Sequence, residues 1–156
     1  MKKVYLLEEN IRTENISEEY SFIRKRTTVH KDGEASGSVY GWTGVQKTHE
    51  GQVIETKRII TKREYISLFN NRDKSRHIVT QKRISFLWNI QSFTIHVYQE
   101  PVSNICILHA QVQSTSDSAG HDEEVSIPPF LEVEKKLLTD SEEDEQYGAY
   151  HISLKN

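Results

Sequence analysis

The chain has 156 residues, a net charge of -3 and one cysteine. Apolar residues make up 35% of it, and exchanging the seven Tyr for the seven Gly leaves that figure unchanged on the scale where soluble domains average roughly 45 to 50%. One domain is expected, and two independent cores are excluded by the short supply of apolar side chains. No apolar run approaches the ~18 residues of a spanning helix, and Met1 to Asn10 holds no signal-peptide core. Cys106 has no partner for an internal disulfide and no zinc-ligand spacing, so a reducing, cytoplasmic setting is expected, with the thiol buried and inert between Ile105 and Ile107. Residues 1 to 100 carry 17 Lys+Arg against 12 Asp+Glu, while residues 101 to 156 carry 3 against 11, a swing from +5 to -8.

Alternating apolar and polar positions predict strands in chain order. The first spans Val4 to Glu9 and the second Tyr20 to His30, ended by the Asp32-Gly33 turn. Ser38 to Thr48 and Gln52 to Ile60 form a hairpin around Gly51. Thr61-Lys62-Arg63-Glu64 has capping-box spacing, and Tyr65, Leu68 and Phe69 share a helical face, so a short helix follows. His77 to Trp88 is the fifth strand and Ser92 to Tyr98 the sixth, with a tight turn at Asn89 to Gln91 and a stop at Pro101. Asn104 to Gln113 is the seventh, and 114–124 is a flexible loop of Ser, Asp, Gly and Glu. Pro128-Pro129 then precedes Phe130, Val133 and Leu137, spaced as the stripe of a second helix over 128–138. The acidic segment 140–156 is expected to be partly helical. The fold class is mainly β (α+β), an antiparallel sheet closing on itself with two or three short helices outside.

Spacing by two places Arg24 with Arg26, Glu55 with Lys57, and Gln81 with Arg83 and Ser85 on common strand faces. The plain reading makes these solvated faces, opposite a core of Ile23, Ile54, Ile60, Ile84 and Phe86. The alternative is a polar lumen, which would explain both the thin apolar supply and the basic first hundred residues. Cations converging in a cavity require an anionic guest, and phosphate suits the guanidinium fork.

The order Ile23-Arg24-Lys25-Arg26, Gly51 to Lys57, Thr61 to Tyr65, Lys82 to Asn89, Phe93 to Pro101 and Ile127 to Lys135 resembles a CYTH-like triphosphate-tunnel domain. It is most similar to the C-terminal domain of the TRPL translocation defect proteins, over nearly all of residues 4 to 154. Those proteins join a nucleotide-binding P-loop domain to this one. No Walker loop occurs here, and the resemblance leaves two expectations open: a piece of a longer protein with an N-terminal nucleotide-binding domain, or a nucleotide-binding half encoded separately.

The resemblance implies an eight-stranded tunnel with Arg24, Arg26, Lys47, Lys57 and Arg83 as the anion-binding set. Glu8 and Glu55 are implied as ligands for Mg²⁺ or Mn²⁺. His96 and His109 stand where catalytic members carry an aspartate and a glutamate, and Gln81 replaces a base; these three are lumen positions. A pair of imidazoles could suit zinc, although ordinary strand histidines are the simpler reading. The expected function is a phosphate-binding tunnel, non-catalytic or weakly active, for a phospholipid head group or nucleotide in membrane traffic. A metal-dependent triphosphate or nucleoside-triphosphate hydrolase using Glu8, Glu9 and Glu55 is the rival, and a protein-interaction module working through the acidic C-terminal segment is the third. No DNA partner is expected at a pI of 6.2, with Tyr40 and Trp42 serving as packing.

Overall fold

The computed structural model describes residues 1–8, 15–110, 125–139 and 141–155. The 114–124 loop, Glu9 and Asp140 lie outside the described residues. Seven strands, β1 (Lys2–Tyr5), β2 (Ile16–Val29), β3 (Ala35–Thr48), β4 (Val53–Ile60), β5 (Val79–Trp88), β6 (Gln91–Glu100) and β7 (Cys106–Ala110), form one antiparallel sheet in the order β4-β3-β2-β1-β5-β6-β7. Short β1 joins two meanders, with Val4 opposite Ile23 on β2 and Lys3 opposite Val79 on β5. Among the described residues neither β4 nor β7 has a strand on its outer edge, and these seven strands make a curled half-barrel. Cys106 begins the edge strand β7 and is exposed, which corrects its expected burial.

The turns follow local chemistry. Gly33 and Gly51 sit at φ 85° and 84°, a region that is steric only for side chains, and each lets a strand reverse. Asn89 and Ile90 link β5 to β6 with φ of 49° and 65°, the two positive values that a two-residue hairpin loop demands.

Helix α1 (Lys62–Asn70) begins as the sequence predicts. Thr61 Oγ1 accepts from the Glu64 backbone N–H, and the Glu64 carboxylate accepts from the Thr61 N–H at 2.7 Å. Its Tyr65, Leu68 and Phe69 cover Val4, Ile23 and Ile60, with Tyr40 and Trp42 beside them. These are the outward-facing residues of β1 to β4, so α1 lies on the convex face; burying a side chain as completely as Ile23 stabilises by roughly 1.5–3 kcal/mol.

The other half of the convex face is covered without a helix. Phe93 is fully buried against Phe86 (5.5 Å between rings), and Phe130 lies 5.9 Å from Phe86. The helix expected over 128–138 is absent: after a turn in which the Leu131 N–H donates to the Pro128 carbonyl, the chain runs irregularly. Pro128 is fully buried, while Phe130, Val133 and Leu138 are exposed, so the proline anchor on the sheet overrides the helical spacing.

The C-terminal segment forms α2 (Glu142–Gln146), capped by Ser141, and α3 (Ala149–Ile152). Instead of packing outside, α3 enters the curl. Ala149 and Tyr150 join Tyr5, Phe22, Val45, Val79 and Tyr98 in a second core on the inner face. Tyr150 stacks on Tyr20 at 3.9 Å, and Arg76 lies 3.8 Å from the Tyr150 ring while donating to the Tyr150 and Ser153 oxygens. No helix among the described residues is long and apolar enough to cross a membrane.

Candidate functional site

Strand register decides which side chains meet. On β2, Tyr20, Phe22, Arg24 and Arg26 share the inner face, because Phe22 opposes Tyr5 and Arg24 opposes Lys3. Across β3, Thr43 links Phe22 to Lys57 and Val45 links Tyr20 to Glu55, so both β4 charges point the same way. On the other side Gln81 opposes Tyr98, Arg83 opposes His96, and Thr94 connects Ser85 to His109. The inner face thus carries Arg24, Arg26, Lys57, Arg83, Glu55, Gln81, His96 and His109 together; spacing by two sets the pairs within each strand, and the register between strands brings them onto one face.

Lys47 shares this face but sits at its far end, with its ammonium 2.5 Å from Glu145 of α2. Asp144, one residue before, is close enough for its charge to act on His109. The acidic segment therefore reaches from β3 toward β7 across the open trough.

Charge repulsion marks the centre of the face. Burial, reinforced by Arg83, pushes the Lys3 ammonium down to about 8; Glu55 opposes the shift, and Arg24 and Lys57 add to it. Arg83 is held below the usual guanidinium value by burial and then by Arg26 and Arg24. Its Nε is buried and has no hydrogen-bond partner among the described residues. His96 is pushed down to about 4 by burial, then by Arg83, His109 and Lys3, so its ring is neutral at pH 7. Partial desolvation lowers His109, Asp144 raises it, and Arg83 lowers it further. The two rings are 4.4 Å apart.

A cleft of about 390 Å³ opens here, lined by Arg26, Arg83, Ser85, Ser92, Thr94, His96, His109 and Ala110. Guanidinium forks, hydroxyls and neutral imidazoles give it many donors and no carboxylate. Gly41 on β3 lets Arg24 lie across the face: a Cβ there would stand 2.8 Å from Arg24 Nε. Gln81 is 2% exposed and hydrogen-bonds Tyr98, whose hydroxyl donates to the Tyr147 carbonyl at 2.8 Å. The lumen position Gln81 thereby belongs to the seam where the C-terminal segment docks.

The resemblance implies Glu8 and Glu55 as the Mg²⁺ or Mn²⁺ ligands, and each stands in its own surroundings. Glu55 lies 2.5 Å from Lys57, while Glu8 follows β1 and its charge acts on Tyr150. Among the described residues no group of three or more His, Cys, Asp and Glu is placed to hold a metal ion, and a hard cation prefers a cage of oxygens. Tyr40 and Trp42 face α1, with Tyr40 5.0 Å from Tyr65, which is the packing role expected of them.

Sequence reasoning missed Lys3. The first strand begins at Lys2, two residues before the predicted start, and the Lys3-Tyr5 alternation is the signal that places this ammonium opposite Arg24. No protein-family model, curated protein or solved structure matches the chain.

Proposed function

We propose that the inner face binds a phosphorylated polyanion, gripped by Lys3, Arg24, Arg26, Lys57 and Arg83, without catalysis or with only weak turnover. The observation that carries this reading is the buried Arg83 Nε, unpartnered among the described residues and surrounded by like charge. A buried donor without an acceptor costs about 1–3 kcal/mol, and more when charged. An oxyanion supplies both the acceptor and the opposing charge, and Ser85 and Thr94 add hydroxyl donors at the cleft.

A phospholipid head group in membrane traffic and a nucleotide share this chemistry. Thermal denaturation with inorganic triphosphate, GTP and vesicles of phosphatidylcholine with or without phosphatidic acid separates the two. Saturation at a hundred times the dissociation constant should add about 2.7 kcal/mol. The double variant Arg24→Ala/Arg83→Ala should fold and lose the shift; an unchanged shift in a folded double variant overturns the proposal.

A metal-dependent triphosphate or nucleoside-triphosphate hydrolase is the rival, favoured by Glu55 on the basic face. It predicts phosphate release that requires Mg²⁺ or Mn²⁺ and disappears in Glu55→Gln. The contact of Glu145 with Lys47 favours a third role, in which the acidic segment itself occupies part of the basic face or trades it for a basic protein partner.

A further inference from the structure

The outer strand β4 is exposed along seven of its eight residues, including Val53 at 54% and Ile59 at 81%. Among the described residues no strand pairs with its outer edge. Helix α1, which follows directly, does not cover that edge, since it turns back over β2 and β3. An eight-residue edge with unpaired backbone groups is a template for another strand. Its charged residues limit which strand can bind, because Glu55 and Lys57 both point to the inner face.

We propose that β4 is a self-recognition edge, pairing antiparallel with β4 of a second copy about a two-fold axis at Thr56. In that register Glu55 faces Lys57 of the second copy, and Lys57 faces its Glu55. Val53 faces Ile59, also in both directions, and on the outer face Ile54 faces Arg58. Every charge on the inner side meets its opposite, and the two most exposed aliphatic residues of that side meet each other. Directly opposed side chains stand about 4.5–5.5 Å apart at Cβ, close enough for each of these pairs to form. Shifting the register by two residues breaks this match by placing Glu55 opposite Ile59 and Lys57 opposite Lys57 of the second copy, or Glu55 opposite Glu55 of the second copy and Lys57 opposite its Val53, so the complementarity specifies one alignment. The result joins two half-barrels through a continuous sheet and brings the basic faces of both copies side by side. A C2 contact of this kind is isologous, with one strand supplying both surfaces.

The test is sedimentation velocity of the whole chain across a hundredfold concentration range, without added anion. The native chain should sediment as a dimer at the upper end. Glu55→Lys and Lys57→Glu each set like charges face to face and should shift the midpoint of dimerisation at least tenfold upward; the combined swap E55K/K57E should restore it. In a Cys106→Ser background, Thr56→Cys should form a disulfide-linked dimer on mild oxidation, while Lys62→Cys should not. A monomer at every concentration, a double swap no better than the single changes, or a dimer that Thr56→Cys fails to trap each overturns the proposal. Triphosphate binding is read on the native chain above and below the dimerisation midpoint, so loss of the dimer leaves the anion site standing or falling on its own result.

Discussion

The inner face has two ends built on the same strands, only one side-chain step apart. At one end Tyr5, Phe22 and Tyr98 pack under Ala149 and Tyr150; at the other Lys3, Arg24 and His96 stand in the open trough. Each pair, Tyr5 with Lys3, Phe22 with Arg24 and Tyr98 with His96, differs by two positions along one strand. A step of two conserves the face but moves about 7 Å along it, from beneath α3 to beyond its cover. The aromatic end provides stability that the cationic end, with its repulsion, takes away.

The sharpest way to break that division is Tyr150→Ala. Its ring is shared among Tyr20, Tyr5 and Arg76, and removing it leaves all three without their cover. A loss of about 2–4 kcal/mol is expected in urea unfolding, within the range for aromatic truncation of a partly buried group packed in a core. A loss below about 1 kcal/mol would mean that the C-terminal segment merely rests on the trough. For the same reason, deleting 140–156 would remove part of the core as well as acidic charge, and cannot report on charge alone.

The cationic end should respond in the opposite direction. Lys3→Met keeps the aliphatic stem and removes a buried charge, so stability should rise by about 1–3 kcal/mol while triphosphate affinity falls. The pH dependence has a definite sign. Lys3 is pushed down to about 8 from an ordinary value of 10.5, so between these limits the unfolded chain holds the proton more often. Its penalty is therefore full below pH 8 and is relieved as pH rises toward 10.5, adding stability across that window. His96, pushed down to about 4 from 6.5, favours the native state above pH 6.5 and loses that contribution as pH falls toward 4. Melting temperature followed from pH 4 to 10.5 should show both slopes in the native chain, the alkaline one flattening in Lys3→Met and the acidic one in His96→Gln. Equal alkaline slopes in the native chain and Lys3→Met would place that ammonium in solvent.

Much of this division was legible in the sequence, and the parts that were not share a cause. Alternation within single strands put Arg24 with Arg26 and Gln81 with Arg83, and the Thr61 to Glu64 capping box located α1. These signals are local, carried by residues within four positions of one another. The failed helix over 128–138 had good local spacing, but the burial of Pro128 is a long-range anchor that spacing does not encode. The docking of α3 inside the curl was hidden in the same way, since Tyr150 meets Tyr20 across most of the chain. Cys106 misled because two flanking isoleucines suggest burial, whereas edge position is a property of the whole sheet.

The smallest effect separates a structural strap from a competing one. Glu145 touches Lys47 at 2.5 Å with both side chains substantially exposed, and hydrogen bonding to Lys47 holds its carboxyl below the usual range. An exposed pair of this kind contributes about 0.2–1 kcal/mol, so Glu145→Gln should leave urea stability within about 1 kcal/mol of the native value. Its amide keeps the shape of the contact and removes one negative charge from the basic face. If the acidic segment competes with anions, triphosphate affinity should then rise by about two- to threefold at low salt, and the gain should fade as ionic strength increases. If the segment only braces the trough, affinity stays constant while stability falls slightly. Titration calorimetry at two salt concentrations separates these results, and because Lys135 pairs with Glu143 on the same helix, Glu143→Gln serves as the control that removes an equal charge away from Lys47.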